Sequence, residues 1–159
     1  YTARPIAPDV LKELRTADDA GRVPAPVTDD EGGAPLRCCL RRSRPGERIA
    51  LVSYAPLRRW AAATGADPGA YDEQGPVFVH AFAEECAGPE TDGLPFTNSH
   101  RVLRRYSTDG RILGGRLIGD PGAFPYALRE AFDDPAVALV HVRAVEYGCF
   151  LYEVRRAGT

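Results

Sequence analysis

The chain has 159 residues, 44% hydrophobic and 26% charged, with a formal net charge of −2. That length suits one domain, residues 1–159, around one core, and the balance is that of an ordinary soluble globular protein. So small a charge supplies no field to draw in nucleic acid or an anionic membrane, and no apolar run reaches the length of a membrane span.

The N-terminal residues also lack the apolar core of a secretory signal, which points to a cytoplasmic protein without nucleic-acid or membrane partners. Of the 20 Lys and Arg residues, only Lys12 is a lysine. With Ala, Gly and Pro abundant as well, this is the composition of a high-GC bacterial genome. Oligomeric state is not readable. The four cysteines are Cys38, Cys39, Cys86 and Cys149. On a strand, Cys38 and Cys39 would point to opposite faces. With no secretory signal, reduced thiols are expected, and without a C-x-x-C pair a structural zinc site has little support.

In chain order, residues 8–15 read as a short helix with Pro8 in its first turn and Val10, Leu11 and Leu14 on one face. Residues 18–35 are rich in Gly, Pro and Asp and read as a loop. Residues 36–43 then form a strand, Arg44-Pro45-Gly46-Glu47 a type II turn, and residues 48–54 the partner strand, apolar on both faces and so central in its sheet. Pro56 opens a second helix that Gly65 ends. After a loop over 65–75, residues 77–82 form a strand carrying His80. A further loop covers 86–100. The clearest hairpin joins residues 101–107 to 111–118 through Asp109-Gly110, with Gly114-Gly115 marking a bulge or a close approach. A third helix ends near Phe132. Residues 137–143, with His141, and 149–155 close the chain as a hairpin. About seven strands joined by hairpins, with three short helices, make an α+β fold: a mainly antiparallel sheet or a partly open barrel.

Several short segments occur in a recognisable order: Pro35-Leu36-Arg37, Pro45-Gly46-Glu47-Arg48, Tyr71 before Gly75-Pro76-Val77-Phe78, Arg104-Arg105-Tyr106 with Asp109-Gly110, and Gly148-Cys149-Phe150. Over roughly its last three-quarters the chain resembles the small bacterial family known as domain of unknown function 1203. The resemblance implies a whole single-domain bacterial protein and draws attention to Arg37, Tyr71, Arg104, Tyr106 and Cys149 as ligand-contacting candidates. It brings no activity with it. Leu36 stands where the family pattern has a cysteine, so no role for that thiol carries over.

The two histidine strands echo one another, and an imidazole titrates near neutrality. The leading expectation is an enzyme acting on a small anionic metabolite without organic cofactor, with His80 as acid/base group, His141 assisting, and Arg37 with Arg104 holding the anion. One alternative is a non-catalytic ligand-binding or protein-interaction module. A second is a His/Cys metal site, with His80, His141 and a third ligand from Cys86, Glu84, Glu85 or Cys149. Cys39, on one strand face with Arg37 and Arg41, would have its thiol pKa lowered. Serine-triad, zinc-finger and nucleotide-loop signatures are missing from the sequence.

Overall fold

The computed structural model describes residues 1–90 and 93–159. In chain order the strands are β1 (Thr2–Arg4), β2 (Val27–Asp29), β3 (Pro35–Leu36), β4 (Arg41–Arg42), β5 (Glu47–Tyr54), β6 (Gly75–His80), β7 (Arg101–Tyr106), β8 (Ile112–Ile118), β9 (Leu139–Arg143) and β10 (Phe150–Arg155). The α-helices are α1 (Pro8–Thr16), α2 (Pro56–Thr64) and α3 (Phe124–Asp133), each with a proline in its first turn, where a missing N–H has no intrahelical partner to lose. The fold is α+β, as expected, with three helices. The strands form two mostly antiparallel five-stranded sheets, not closed into a barrel: the mainly antiparallel architecture expected, with ten strands among the described residues where about seven were read. Among the described residues no helix is long and apolar enough to cross a membrane.

The chain gathers into two compact units: Tyr1–Arg4, Ala55–Glu73 and Thr97–Thr159 in the first, Pro5–Tyr54 and Gln74–Phe96 in the second. In the first unit the strand order is β1-β10-β9-β7-β8. The hairpins β7–β8 and β9–β10 form as expected. Gly110, at φ +84°, turns the first of them, and a Cβ there would lie 3.2 Å from the Trp60 ring and 3.0 Å from Pro68 Cβ. Both backbone conformation and space therefore require glycine. The register steps from Arg105↔Gly114 to Tyr106↔Ile112, leaving Leu113 as a bulge beside the glycine pair. Helix α2 sets Leu57 and Trp60 against Tyr106 of β7 and Leu139 of β9, and all four are buried.

The second unit has strand order β2-β5-β6-β3-β4. The type II turn is present: Glu47 N–H donates to Arg44 O at 3.1 Å, with Gly46 at φ +89°. The strand expected over 36–43 breaks into β3 and β4, because Leu40 takes φ +57° and its N–H closes a turn onto Leu36 O at 2.9 Å. Its expected pairing with residues 48–54 gives way to β5 pairing with β2 and β6. Strand β5 thus has neighbours on both sides, although Leu51 is 53% exposed. Strand β2 arises inside the segment read as a loop, where Asp29 accepts from Ser43 Oγ at 2.5 Å and Gly32 N–H at 3.0 Å. The loop expected over 86–100 includes Thr91 and Asp92, which lie outside the described residues.

Leu139 is fully buried in the α2–sheet cluster. Leu139→Ala is expected to cost about 2–5 kcal/mol through lost burial and a residual cavity. The check is a lower urea midpoint at unchanged slope, followed by Trp60 fluorescence.

Candidate metal centre

Strands β3 and β6 run parallel, with Leu36 opposite Phe78, and Arg37 N–H donates to Phe78 O at 2.9 Å. Two residues on from Leu36 is Cys38, and two residues on from Phe78 is His80, so the register carries both to the same end of the strand pair. There His80 N–H donates to Cys38 Sγ at 3.2 Å. Because β3 has already ended, Cys38 and Cys39 occupy a turn, and their Sγ atoms are 3.9 Å apart. The expectation that they point to opposite faces fails for that reason. After β6 the chain makes a 3₁₀ turn over Ala83–Glu85, with Cys86 N–H donating to Ala83 O at 3.1 Å. This returns Cys86 to the cluster.

The His80 ring is fully buried. Its Nε2 lies 2.6 Å from Glu47 Oε2, while Nδ1 lies 3.3 Å from Cys38 Sγ and 3.8 Å from Cys39 Sγ. Glu47 reaches it because β5 pairs Ile49 with His80, and a residue two positions back on the same face is a diagonal neighbour. Arg41 donates to both Glu47 oxygens at 2.8 Å, and Arg44 N–H adds a third donor at 2.5 Å. The Arg41 hydrogen bonds hold the Glu47 carboxyl far below the usual carboxylate range. A carboxylate can only accept, so Nε2 carries the imidazole proton and Nδ1 turns its lone pair toward the thiols. The hydrogen bond from Cys38 lowers the Cys39 thiol from 9.0 to about 6, with the backbone N–H and the charge of Arg41 adding to the effect. The same contact, together with burial, raises the Cys38 thiol. The cluster thus favours a thiolate at Cys39 hydrogen-bonded by the Cys38 S–H.

The donor atoms of Cys38, Cys39, His80 and Cys86 all lie within 4.8 Å of one another. Bond lengths of roughly 2.3 Å to sulfur and 2.0 Å to nitrogen in a tetrahedral zinc site imply edges of about 3.8 Å between sulfurs and 3.5 Å between sulfur and nitrogen. Three edges of the cluster, 3.9 Å between sulfurs and 3.3 and 3.8 Å between sulfur and nitrogen, lie within about 0.3 Å of those of such a site. Glu47 stands where a carboxylate orients a metal-bound imidazole by accepting its second N–H. These four donors therefore fit a thiophilic ion.

Of the residues singled out from sequence, His80 belongs to this cluster, together with Cys86, named as one possible third metal ligand, and Cys39, noted for its thiol. Arg37 is buried in the second unit and donates from Nη1 to Pro35 O. Tyr71, on a 3₁₀ turn of the first unit, is 37% exposed. Arg104 donates to Glu73 at 2.8 Å and to Tyr106 Oη at 3.3 Å. Cys149 is half-buried, its Sγ 3.9 Å from Tyr147 O. His141 stands in the sheet of the first unit, with Nε2 3.0 Å from Glu153 and its ring against Tyr106 and Phe150 at 4.7 and 4.9 Å between centroids. Each histidine thus has its own carboxylate in its own sheet. Glu47 and Arg41 were missed as site residues, and the cysteine pair was misread. The usable signals were the vicinal cysteines and a glutamate that closes the turn and opens β5.

Burial lowers the His141 pKa against the pull of Glu153, which keeps the ring neutral. Burial alone would raise the Glu153 carboxyl, but the hydrogen bond from His141 and the charge and hydrogen bond of Arg155 outweigh it and leave it low. Unfolding restores the ordinary values of 6.5 and 4.5, so the unfolded chain takes up protons that the folded one refuses. Stability is expected to fall as pH drops below about 6.5, and further below about 4.5. The urea midpoint should be lower at pH 5 than at pH 7, and His141→Gln should flatten that slope. A midpoint unchanged between the two pH values would contradict this assignment.

No curated protein and no solved structure matches the chain significantly. The family profile described as "Protein of unknown function (DUF1203)" matches residues 33–156, a span that includes Cys38, Cys39, Glu47, His80 and Cys86. The chain is a member of the DUF1203 family.

Proposed function

We propose that the chain is a metal-binding protein whose Cys38, Cys39, Cys86 and His80 hold one tetrahedral d10 ion, zinc first among them. The observation that carries this reading is the spacing of the donor atoms, all within 4.8 Å and with three edges at tetrahedral lengths. Three thiolates and one imidazole are soft donors that favour zinc over magnesium or calcium. Binding releases the remaining thiol protons. Arg41 compensates charge through Glu47, and Arg15 does so by donating from Nε to His80 O at 3.0 Å. With the ion and Glu47 included, the set carries no net charge. Four protein donors make a closed site, so the first effect of the ion is to clamp the turn after β3, the end of β6 and the following 3₁₀ turn. A reducing cytoplasm would keep the three thiols available.

A second reading is the enzyme expected from sequence, with His80 as acid/base group acting on a small anionic metabolite. It is favoured by the Glu47–His80–Cys39 arrangement and the depressed Cys39 thiol. There Nδ1 would exchange a proton with substrate while Cys39 acted as nucleophile.

Elemental analysis of protein purified without added chelator tests the first reading. About one zinc per chain is expected. Cys38→Ser, Cys39→Ser or His80→Gln should each lower it to less than a tenth, while Cys149→Ser should leave it unchanged. Substoichiometric zinc in the wild type, or full zinc in the Cys39→Ser variant, would sink the metal reading. Absence of zinc together with His80-dependent alkylation of Cys39 by iodoacetamide would favour the second.

A further inference from the structure

A cleft of about 330 Å³ lies in the first unit, between α3 and the β7–β8 hairpin, at the small end of the range for organic-ligand pockets. Leu103 pairs with Arg116 and Arg105 with Gly114, so strand alternation puts Leu103, Arg105 and Arg116 on one face of the hairpin. Helix α3 faces them with Ala127 and Ala131, both buried, whose short side chains leave the space open. Glu130, beside Ala131, ties the helix to β8 by accepting from Arg116 Nη1 at 2.5 Å.

Arg105 is the informative group. It is half-buried in the cleft wall, and among the described residues its guanidinium has no hydrogen-bond or ion-pair partner. Its nitrogens are not among the buried atoms left unpaired, so this unpartnered guanidinium is one that solvent can reach. Gly114 gives it its seat. The backbone there is outside the left-handed region and does not itself call for glycine, but a Cβ would meet the Arg105 guanidinium, with Cζ at 3.3 Å and Nη2 nearer still. Two guanidinium groups against the one carboxylate of Glu130 leave a single positive charge in the wall uncompensated.

We propose that this cleft binds a small organic monocarboxylate, its carboxylate on the Arg105 guanidinium and its apolar body along Leu103, Ala127 and Ala131. A planar carboxylate matches both the guanidinium fork and the single free charge. A phosphate dianion would bring a second negative charge toward Glu130, and a neutral molecule would leave Arg105 without an ionic partner. The site belongs to the other unit from the cysteine cluster and stands whether or not that cluster holds an ion.

The test titrates the full chain with benzoate and, in parallel, with benzamide and inorganic phosphate, following backbone amide shifts. Benzoate is expected to shift the amides of Arg105, Gly114 and Ala131 saturably, with a Kd of about 1 mM. Benzamide and phosphate should each bind at least about tenfold more weakly. Arg105→Gln should weaken benzoate about tenfold, and Gly114→Ala, which displaces the guanidinium but keeps its charge, at least about threefold. Glu130→Gln removes the like charge and should tighten benzoate about two- to threefold. Equal binding of benzoate and benzamide to the wild type would overturn the proposal without any variant having to fold. So would tighter binding of phosphate than of benzoate, shifts confined to other parts of the chain, no saturation by about 20 mM benzoate, or unchanged affinity in folded Arg105→Gln.

Discussion

The hydrogen bond between His80 Nε2 and Glu47 decides what the rest of the second unit can do. It fixes the tautomer of a fully buried imidazole and leaves one lone pair, on Nδ1, directed at two thiols. Glu47 can serve this way only because Arg41 and the Arg44 N–H keep it ionised and in place. Arg41 in turn sits on β4, which follows directly from the turn holding the cysteines. Two of the ligands, Cys38 and Cys39, the carboxylate that orients the imidazole and the cation that orients the carboxylate thus come from one short stretch of chain, residues 38–47, while β6 and the turn after it supply His80 and Cys86. A buried polar network of this kind is tolerable only when its members are paired.

The two histidine strands have different consequences in spite of their similar sequences. His141 lies between a tilted Tyr106 ring and an edge-on Phe150 ring and is hydrogen-bonded to a buried glutamate, which suits a neutral ring that completes a core. His80 has sulfur on one side and carboxylate on the other, a setting that has chemical use as well as packing value. The difference lies in the neighbours. Strand β6 ends beside a turn containing two cysteines, whereas β9 is flanked by β7 and β10.

Local features were legible in the sequence wherever they depended on local chemistry. The Pro45-Gly46 turn, the Asp109-Gly110 hairpin, the proline starts of α1 and α2 and the α+β class all follow from residues close together in the chain. Non-local pairing was not legible. Residues 36–43 have the alternation of a strand, and nothing in them announces that Leu40 adopts positive φ and breaks it. That break brings Cys38 and Cys39 to one side. Nor does any local signal reveal that β3 runs parallel to β6, forty residues on, which is what sets Cys38 beside His80. The candidate site was therefore half visible. His80 was picked for its strand, Cys86 was named as one possible ligand, and Cys39 was noted for its arginine neighbours, but only the register joins them.

The central claim is that three sulfurs and one imidazole nitrogen surround a single ion. Zinc-edge X-ray absorption of the purified chain measures that shell directly. The expected result is three sulfur scatterers at about 2.3 Å and one nitrogen at about 2.0 Å. The His80→Gln variant should lose the imidazole scattering. A shell of oxygen and nitrogen alone, with no sulfur at that distance, would contradict the claim.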